Sequence, residues 1–341
     1  MRKIAFSGAF VCLILFLAYL YFNSPPHHSL KLKSSKPGHS SPHSFIVYPG
    51  ESVKSVAGNL KNEGLIRSVF FFTSLVRIHR ATGKIKAGEY SLDNSWKTTR
   101  IIDTLLKGIV KTCRFTVPEG LTMKQIAELL DNYGIVKAED FLKACYDQEI
   151  LKRYKIPFSN VEGFLFPDTY TIAKGVGASQ IVGIMIEKFY EELDAILFQD
   201  YEEEELKKVV IIASLVEREA KIDSERPIVA AVFYNRLKKN KRLESCATVQ
   251  YILGKTKETL LYRDLKVNSP YNTYLYSGLP PGPIANPGIK SIEAAVRPAD
   301  VDYLFFVSKG DGSHHFSKTY TEHLKAIEKY NASGSIGHHI S

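Results

Sequence analysis

The chain has 341 residues, 45% hydrophobic and 24% charged, a globular balance with room for two or three domains. Its formal net charge of +9 and pI near 9.1 suit an anionic partner, such as a membrane surface or a teichoic or lipid headgroup. No zinc knuckle or other nucleic-acid signature accompanies that charge, so nucleic acid is set aside. Arg2 and Lys3 precede an uncharged run from Ile4 to Phe22. At ~1.5 Å per residue this run is long enough to cross a hydrocarbon core of ~30 Å. It exceeds the roughly 7–15 residues of a signal-peptide core, and no small-residue cleavage site follows. The expectation is an uncleaved transmembrane helix over 1–22, single-pass in the inner (cytoplasmic) membrane, with the rest of the chain extracytoplasmic.

Residues 23–43 are rich in Ser, Pro, His and Lys and read as a linker. An internal repeat follows at an offset of 70, with Phe45-Ile46-Val47 echoed by Phe115-Thr116-Val117. Val56-Ala57 matches Ile126-Ala127, Leu60 matches Leu130, and Gly64-Leu65 matches Gly134-Ile135. Each unit reads as a strand, a glycine turn, a Ser or Thr cap and an amphipathic helix. A second echo pairs Tyr90-Ser91-Leu92 with Tyr170-Thr171-Ile172. Two related α+β modules are expected, over 44–112 and 113–190. Their plan of strand, capped helix, helix and closing strand resembles LysM-type modules, which bind GlcNAc-rich cell-wall glycans. Cys113, Cys145 and Cys246 fall in this and the next region with neither CxxC nor metal-like spacing, so no disulfide framework and no zinc site are implied.

The remainder, 191–341, is expected to be a mixed α/β domain. Val209 to Val216 is apolar throughout, the pattern of a buried helix, and Glu217-Arg218-Glu219 ends it. A carboxylate at the end of such a helix is held in a cleft, where desolvation favours a proton donor; the alternative is a solvated helix end. Two positions on a helix differ by about 200°, so Glu217 and Glu219 face different sides and one acid serves one site. Asp223-Ser224 with Pro227 start a second helix, carrying Ile228 to Leu237. The loop Val161 to Tyr170 combines aromatics with Glu162 and Asp168, which suits sugar stacking and hydroxyl binding or, equally, a hairpin with core aromatics. Residues 270–290 are too dense in Pro and Gly for a regular element, and such loops are usually functional. Tyr271, Asn272, Tyr274 and Asn286 give this segment neutral partners suited to N-acetyl sugars. Tyr303 to Val307 reads as a strand and Thr321 to Tyr330 as a closing helix. His314 and His315 lack both a nucleophile motif and metal-ligand spacing, and Ser214 lacks an elbow.

These motifs in order resemble the YceG-like family of endolytic murein transglycosylases: Glu217-Arg218-Glu219, Ser224-Glu225-Arg226, Val232 to Leu237, Tyr271 to Tyr274, Gly278 to Gly288, and Phe164 to Tyr170. The likeness runs from about residue 45 through nearly all of the chain. It implies cleavage between N-acetylmuramic acid and N-acetylglucosamine inside glycan strands, leaving 1,6-anhydro ends and terminating nascent strands. It implies Glu219 as the catalytic acid and Glu217 as its support. Asn235, Arg236, Gln250, Tyr271, Asn272, Tyr274, Asn286, Glu162 and Asp168 fall on motif positions expected to bind substrate. Cys246-Ala247 stands where the family commonly carries Asp-Pro. No cofactor or metal is implied; the expected partners are peptidoglycan strands, the membrane and cell-wall synthases. One acid suffices because the muramyl C6 hydroxyl attacks within its own ring, where effective molarities reach roughly 10⁵ M or more. The competing readings are a non-catalytic glycan-binding scaffold that recruits synthases, and a hydrolysing muramidase with Glu225 or Asp264 as its second carboxylate.

Overall fold

The computed structural model describes residues 2–26, 43–48, 50–109, 111–196, 202–255, 257 and 260–331. The expected linker therefore lies mostly outside the described residues. The chain is α+β with small two-stranded sheets, and it divides into two units: 1–114 with 171–176, and 115–170 with 177–341.

In the first unit, α1 (Arg2–Asn23) replaces the expected membrane anchor. Among the described residues no helix is long and apolar enough to cross a membrane, which overturns the single-pass inner-membrane placement. The last turns of α1 are instead tied to protein. Tyr19 and Phe22 pack on Phe71 at 5.8 and 5.9 Å, and Asn23 Oδ1 accepts the Thr99 N–H at 3.0 Å.

β1 (His43–Val47) pairs antiparallel with β2 (Gly88–Leu92), and Phe45 lies opposite Tyr90. Strand alternation puts Phe45, Val47, Tyr90 and Leu92 on one buried face. Between the strands run α2 (Val53–Asn62) and α3 (Val69–Ile78). Ser52 Oγ accepts the Ser55 N–H, and Ser68 Oγ accepts that of Phe71, so each helix start has one orphan donor satisfied. The helix α4 (Thr98–Lys107) ends at Gly108 in the left-handed region. Leu60, Phe72, Val76, Ile101 and Leu105 complete the core.

The pattern recurs in β3 (Thr112–Thr116), α5 (Met123–Asn132), α6 (Ala138–Cys145), α7 (Gln148–Arg153) and β4 (Thr169–Ala173). β3 pairs with β4. The counterpart of Ser52 is Thr122, which forms a capping box with Gln125. Phe115 stacks on Tyr170 at 5.5 Å, and the hydroxyls of Tyr90 and Tyr170 each donate to the carbonyl four residues earlier. The repeat at offset 70 is thus a repeat of caps and core positions, and the second echo, at offset 80, one of tyrosine ties.

The second unit continues with α8 (Ala178–Ile196), α9 (Glu203–Glu219), α10 (Arg226–Lys238), α11 (Cys246–Leu253) and α12 (Ile289–Val296). A hairpin of β5 (Phe305–Ser308) and β6 (His314–Ser317) packs on α13 (Tyr320–Asn331). α9 is buried from Val209 to Val216 and is flanked by α10, α11 and α12. Glu203, Glu204 and Glu205 occupy its first turn, where the helix dipole favours negative charge. Ser214 is a structural pin: its Oγ donates to the Ile211 carbonyl and accepts the Ile284 N–H, fixing the Pro/Gly segment to the helix. Pro227 sits in the first turn of α10, after a short 3₁₀ turn over Asp223–Glu225.

Candidate active site

The buried helix α9 delivers its two glutamates to different partners. Glu217 Oε2 lies 3.2 Å from the Arg226 guanidinium and accepts the Gly288 N–H at 3.0 Å. The side chains of this pair are only 7% and 8% exposed, and Arg226 also contacts Asp223 and Ser291. Glu217 therefore braces α9 against the starts of α10 and α12. Removing one member of such a buried pair leaves the other charge uncompensated, at a cost of about 3–5 kcal/mol. Glu119 lies over Gly288, where an added Cβ would meet its carboxylate at 1.9 Å. Burial, then the like charge of Glu217, raises the Glu119 carboxyl above its ordinary range.

Glu219, the last residue of α9, is half-buried and accepts a 2.5 Å hydrogen bond from Ser245 Oγ. Ser245 is the N-cap residue of α11, yet its side chain makes no cap bond. The hydroxyl that would satisfy the helix start is turned to the carboxylate instead. Beside it, Cys246 Sγ lies 3.0 Å from the Tyr274 hydroxyl. Burial, then the charge of Glu219, pushes the Cys246 thiol up to about 11, so it is neutral at physiological pH. Burial likewise raises the Tyr274 hydroxyl, which stays protonated and able to donate. The segment bearing Ser245 is held by buried Arg236: its Nε donates to the Leu304 carbonyl at 2.6 Å and an Nη to that of Leu243 at 2.7 Å. Arg236 also pairs with Glu244 at 3.4 Å.

Past Cys246, α11 borders a pocket of about 720 Å³ whose opposite wall is the start of α5. Gln250, Tyr251 and Tyr271 line it, with the tyrosine rings 5.1 Å apart. Glu162 is in its lining and is only 2% exposed. Glu162 Oε1 accepts from the Met123 N–H at 2.9 Å and Asn286 Nδ2 at 2.8 Å; Oε2 lies 3.4 Å from the Tyr251 hydroxyl. Burial raises this carboxyl to about 8 against those hydrogen bonds, which pull the other way. Arg218, adjacent to Glu219, also lines the pocket and donates to the Gly120 carbonyl.

The remaining expected site residues hold backbone. Asn235 Nδ2 donates to the carbonyls of Val301 and Tyr303, and Asn272 Nδ2 to those of Leu265 and Val267. Asn286 Oδ1 accepts from Gly163 and Leu165, while its amide reaches Leu121 as well as Glu162. Asp168 is exposed, accepts the Thr169 N–H and is not among the residues lining the pocket. Phe164 and Phe166 are core, with Phe164 4.8 Å from Phe189, so they do not offer faces to a sugar. Of the two alternative carboxylates, Asp264 has both oxygens 2.8 Å from Lys257 Nζ, and Glu225 takes the backbone N–H and ring Nδ1 of His314.

Sequence reading missed Ser245 and Arg226. The turn of Ser245 towards Glu219 depends on α11 meeting α9, which no local pattern carries. Arg226 was quoted only inside a motif; a buried acid beside an apolar helix signals a cationic partner.

Residues 45–329 match the YceG-like family model. A Bacillus subtilis protein named endolytic murein transglycosylase is 35% identical over 303 residues, covering 82% of each chain. A Streptococcus pneumoniae protein of the same name is 26% identical over 317 residues, covering 82% of this chain and 57% of that one. A crystal structure of a YceG-like protein from Listeria monocytogenes aligns with a TM-score of 0.55 at 34% identity, covering 84% of this chain and 100% of the other. With a family model spanning nearly all of the sequence that follows the N-terminal segment, the chain belongs to the YceG-like family.

Proposed function

We propose that this chain is an endolytic murein transglycosylase that cuts the bond from N-acetylmuramic acid to N-acetylglucosamine within peptidoglycan strands and leaves 1,6-anhydromuramyl ends. The observation that carries the reading is the division of labour at the end of α9. Glu217 is locked in an ion pair, while Glu219 is half-buried with its carboxylate held by Ser245. Glu219 first gives its proton to the departing glycosidic oxygen. It then takes the proton of the muramyl C6 hydroxyl as that oxygen bonds to C1. One carboxylate performs both transfers, because no external water has to be activated. Hydrolysis would require a second carboxylate at the same bond. Both candidates for that role, Glu225 and Asp264, are engaged elsewhere by His314 and Lys257.

The strand–helix–helix–strand module of residues 44–112 reads as LysM-like, with 113–190 as its second copy and 191–341 as the catalytic part. In that arrangement the first module holds neighbouring glycan, and a cell-wall synthase supplies the nascent strand that the enzyme terminates. Glu219→Gln tests the assignment, since Gln keeps the acceptor for Ser245 but cannot donate a carboxyl proton. Release of anhydro ends from purified sacculi, followed by mass spectrometry, is expected to fall by roughly 10²–10⁴-fold with an unchanged thermal melt. Wild-type product yield from that variant removes the assignment, and reducing ends in place of anhydro ends would make the protein a muramidase.

A further inference from the structure

The pocket beside α11 has a purpose that bond cleavage at Glu219 does not by itself require. At about 720 Å³ it lies within the ordinary size range of ligand sites, roughly 300–1,000 Å³. Two chain connections place it beside the reacting group. Arg218 lines it and immediately precedes Glu219; Ala247 lines it two residues after Ser245, which holds Glu219. Successive Cα atoms are ~3.8 Å apart, so the backbone of the pocket lining comes within one residue of Glu219 and two of Ser245.

Its charge is one-sided. Lys124 and Lys255 are exposed at its rim, and Arg218 adds a third cation. Against them stands exposed Glu128, while burial raises the carboxyl of Glu162 in the lining towards its neutral form. Tyrosine hydroxyls and the Gln250 amide add neutral polar groups. Such a cavity suits an anionic ligand with hydrogen-bonding groups along its length.

The glycan backbone of peptidoglycan is uncharged. Its negative charge near the scissile bond comes from the carboxylates of the peptide joined to the lactyl group of muramic acid. That lactyl group leaves from the same ring whose C1 reacts, so the peptide must pass close to Glu219. We infer that this pocket receives the acidic peptide branch of the muramyl residue, and that the enzyme thereby selects peptide-bearing strands over bare glycan. The inference rests on the transglycosylase reading above and adds a specificity to it.

The test compares two substrates: strands with peptides intact, and the same strands stripped by an amidase, which leaves a single lactyl carboxylate in place of each peptide with its several carboxylates. The wild-type protein is expected to show a lower KM for the peptide-bearing strands. Lys124→Glu combined with Lys255→Glu, both exposed and so tolerated by the fold, is expected to reduce that preference by roughly tenfold through KM. Equal KM values for the two substrates in the wild type overturn the inference, as does an equal proportional loss on both in the double variant. Calorimetric titration with a soluble muramyl tripeptide and with muramic acid alone decides the matter without catalysis. Binding that needs the peptide and weakens in the double variant supports the pocket; equal binding of both compounds overturns it. Absence of cleavage with intact peptide-dependent binding would instead overturn the transglycosylase reading alone.

Discussion

Glu162 shows how a single side chain sets a pH dependence. One of its oxygens accepts two N–H donors and the other faces a tyrosine hydroxyl at 3.4 Å, with the side chain almost wholly buried at the pocket wall. Its carboxyl is raised from 4.5 to about 8 in the folded chain. The folded state therefore holds a proton that the unfolded state releases across this window. Stability from this group is complete below about 4.5 and falls as pH rises towards about 8, with a slope of up to about 1.4 kcal/mol per pH unit. Glu162→Gln copies the protonated shape, with its carbonyl accepting from Met123 and Asn286 and its amide facing Tyr251. Urea midpoints for this variant are expected to change less between about pH 5 and pH 8 than those of the wild type, and to exceed them at the upper end. Parallel pH curves for the two proteins would mean that Glu162 is ionised when folded. The acid itself was legible in the aromatic loop. Its isolation was not, because it is built by Asn286, 124 positions away in the chain.

At the scale of elements, the site is a junction between the end of one helix and the start of another. The apolar run from Val209 to Val216 made α9 readable as a buried helix, and the 200° separation made two separate fates for Glu217 and Glu219 readable too. What sequence could not supply is the meeting of α9 with α11, which depends on a loop held by Arg236 and by Thr273, whose Oγ1 accepts the Ser245 N–H. That meeting explains why Ser245 makes no cap bond. A serine that only capped α11 would cost about 1 kcal/mol when replaced by Ala and would leave turnover alone. Here the hydroxyl donates to Glu219 instead, the carboxyl proposed above as the reacting group. Ser245→Ala is therefore expected to lower kcat by roughly ten- to a hundredfold, with Ser245→Thr restoring much of it because the donor returns. Thermal melts run beside the kinetics separate the two roles. Wild-type turnover in the Ala variant would reduce Ser245 to a packing residue.

At the scale of the whole molecule, the described residues of the first unit have a buried core of their own, and the repeat explains why it was easy to read. Phe45, Val56, Leu60 and Tyr90 recur as Phe115, Ile126, Leu130 and Tyr170, all buried, because each copy must cover a two-stranded ribbon with a capped helix. The long apolar run at the N-terminus was assigned to a membrane on hydropathy, yet among the described residues no helix is long and apolar enough to cross one, and its last turns lie against protein, Tyr19 and Phe22 on Phe71 and Asn23 on Thr99. Separate cores mean that one two-state transition is not expected for this chain. The chain has one tryptophan, Trp96, and it packs against the core of the first unit, with the Arg100 guanidinium 4.0 Å above its ring. Its fluorescence thus reports that unit, whereas on the proposed assignment to Glu219 cleavage activity reports the second. Phe72 is fully buried in the first core, so Phe72→Ala removes about 3–5 kcal/mol from it. For a unit of this size, that lowers the Trp96 melting midpoint by about 10 °C or more. The temperature at which cleavage is lost is expected to stay near the wild-type value, because Glu219, Ser245 and the pocket draw on the second core. Coincident shifts of the fluorescence midpoint and of the inactivation temperature would show that the two cores unfold as one.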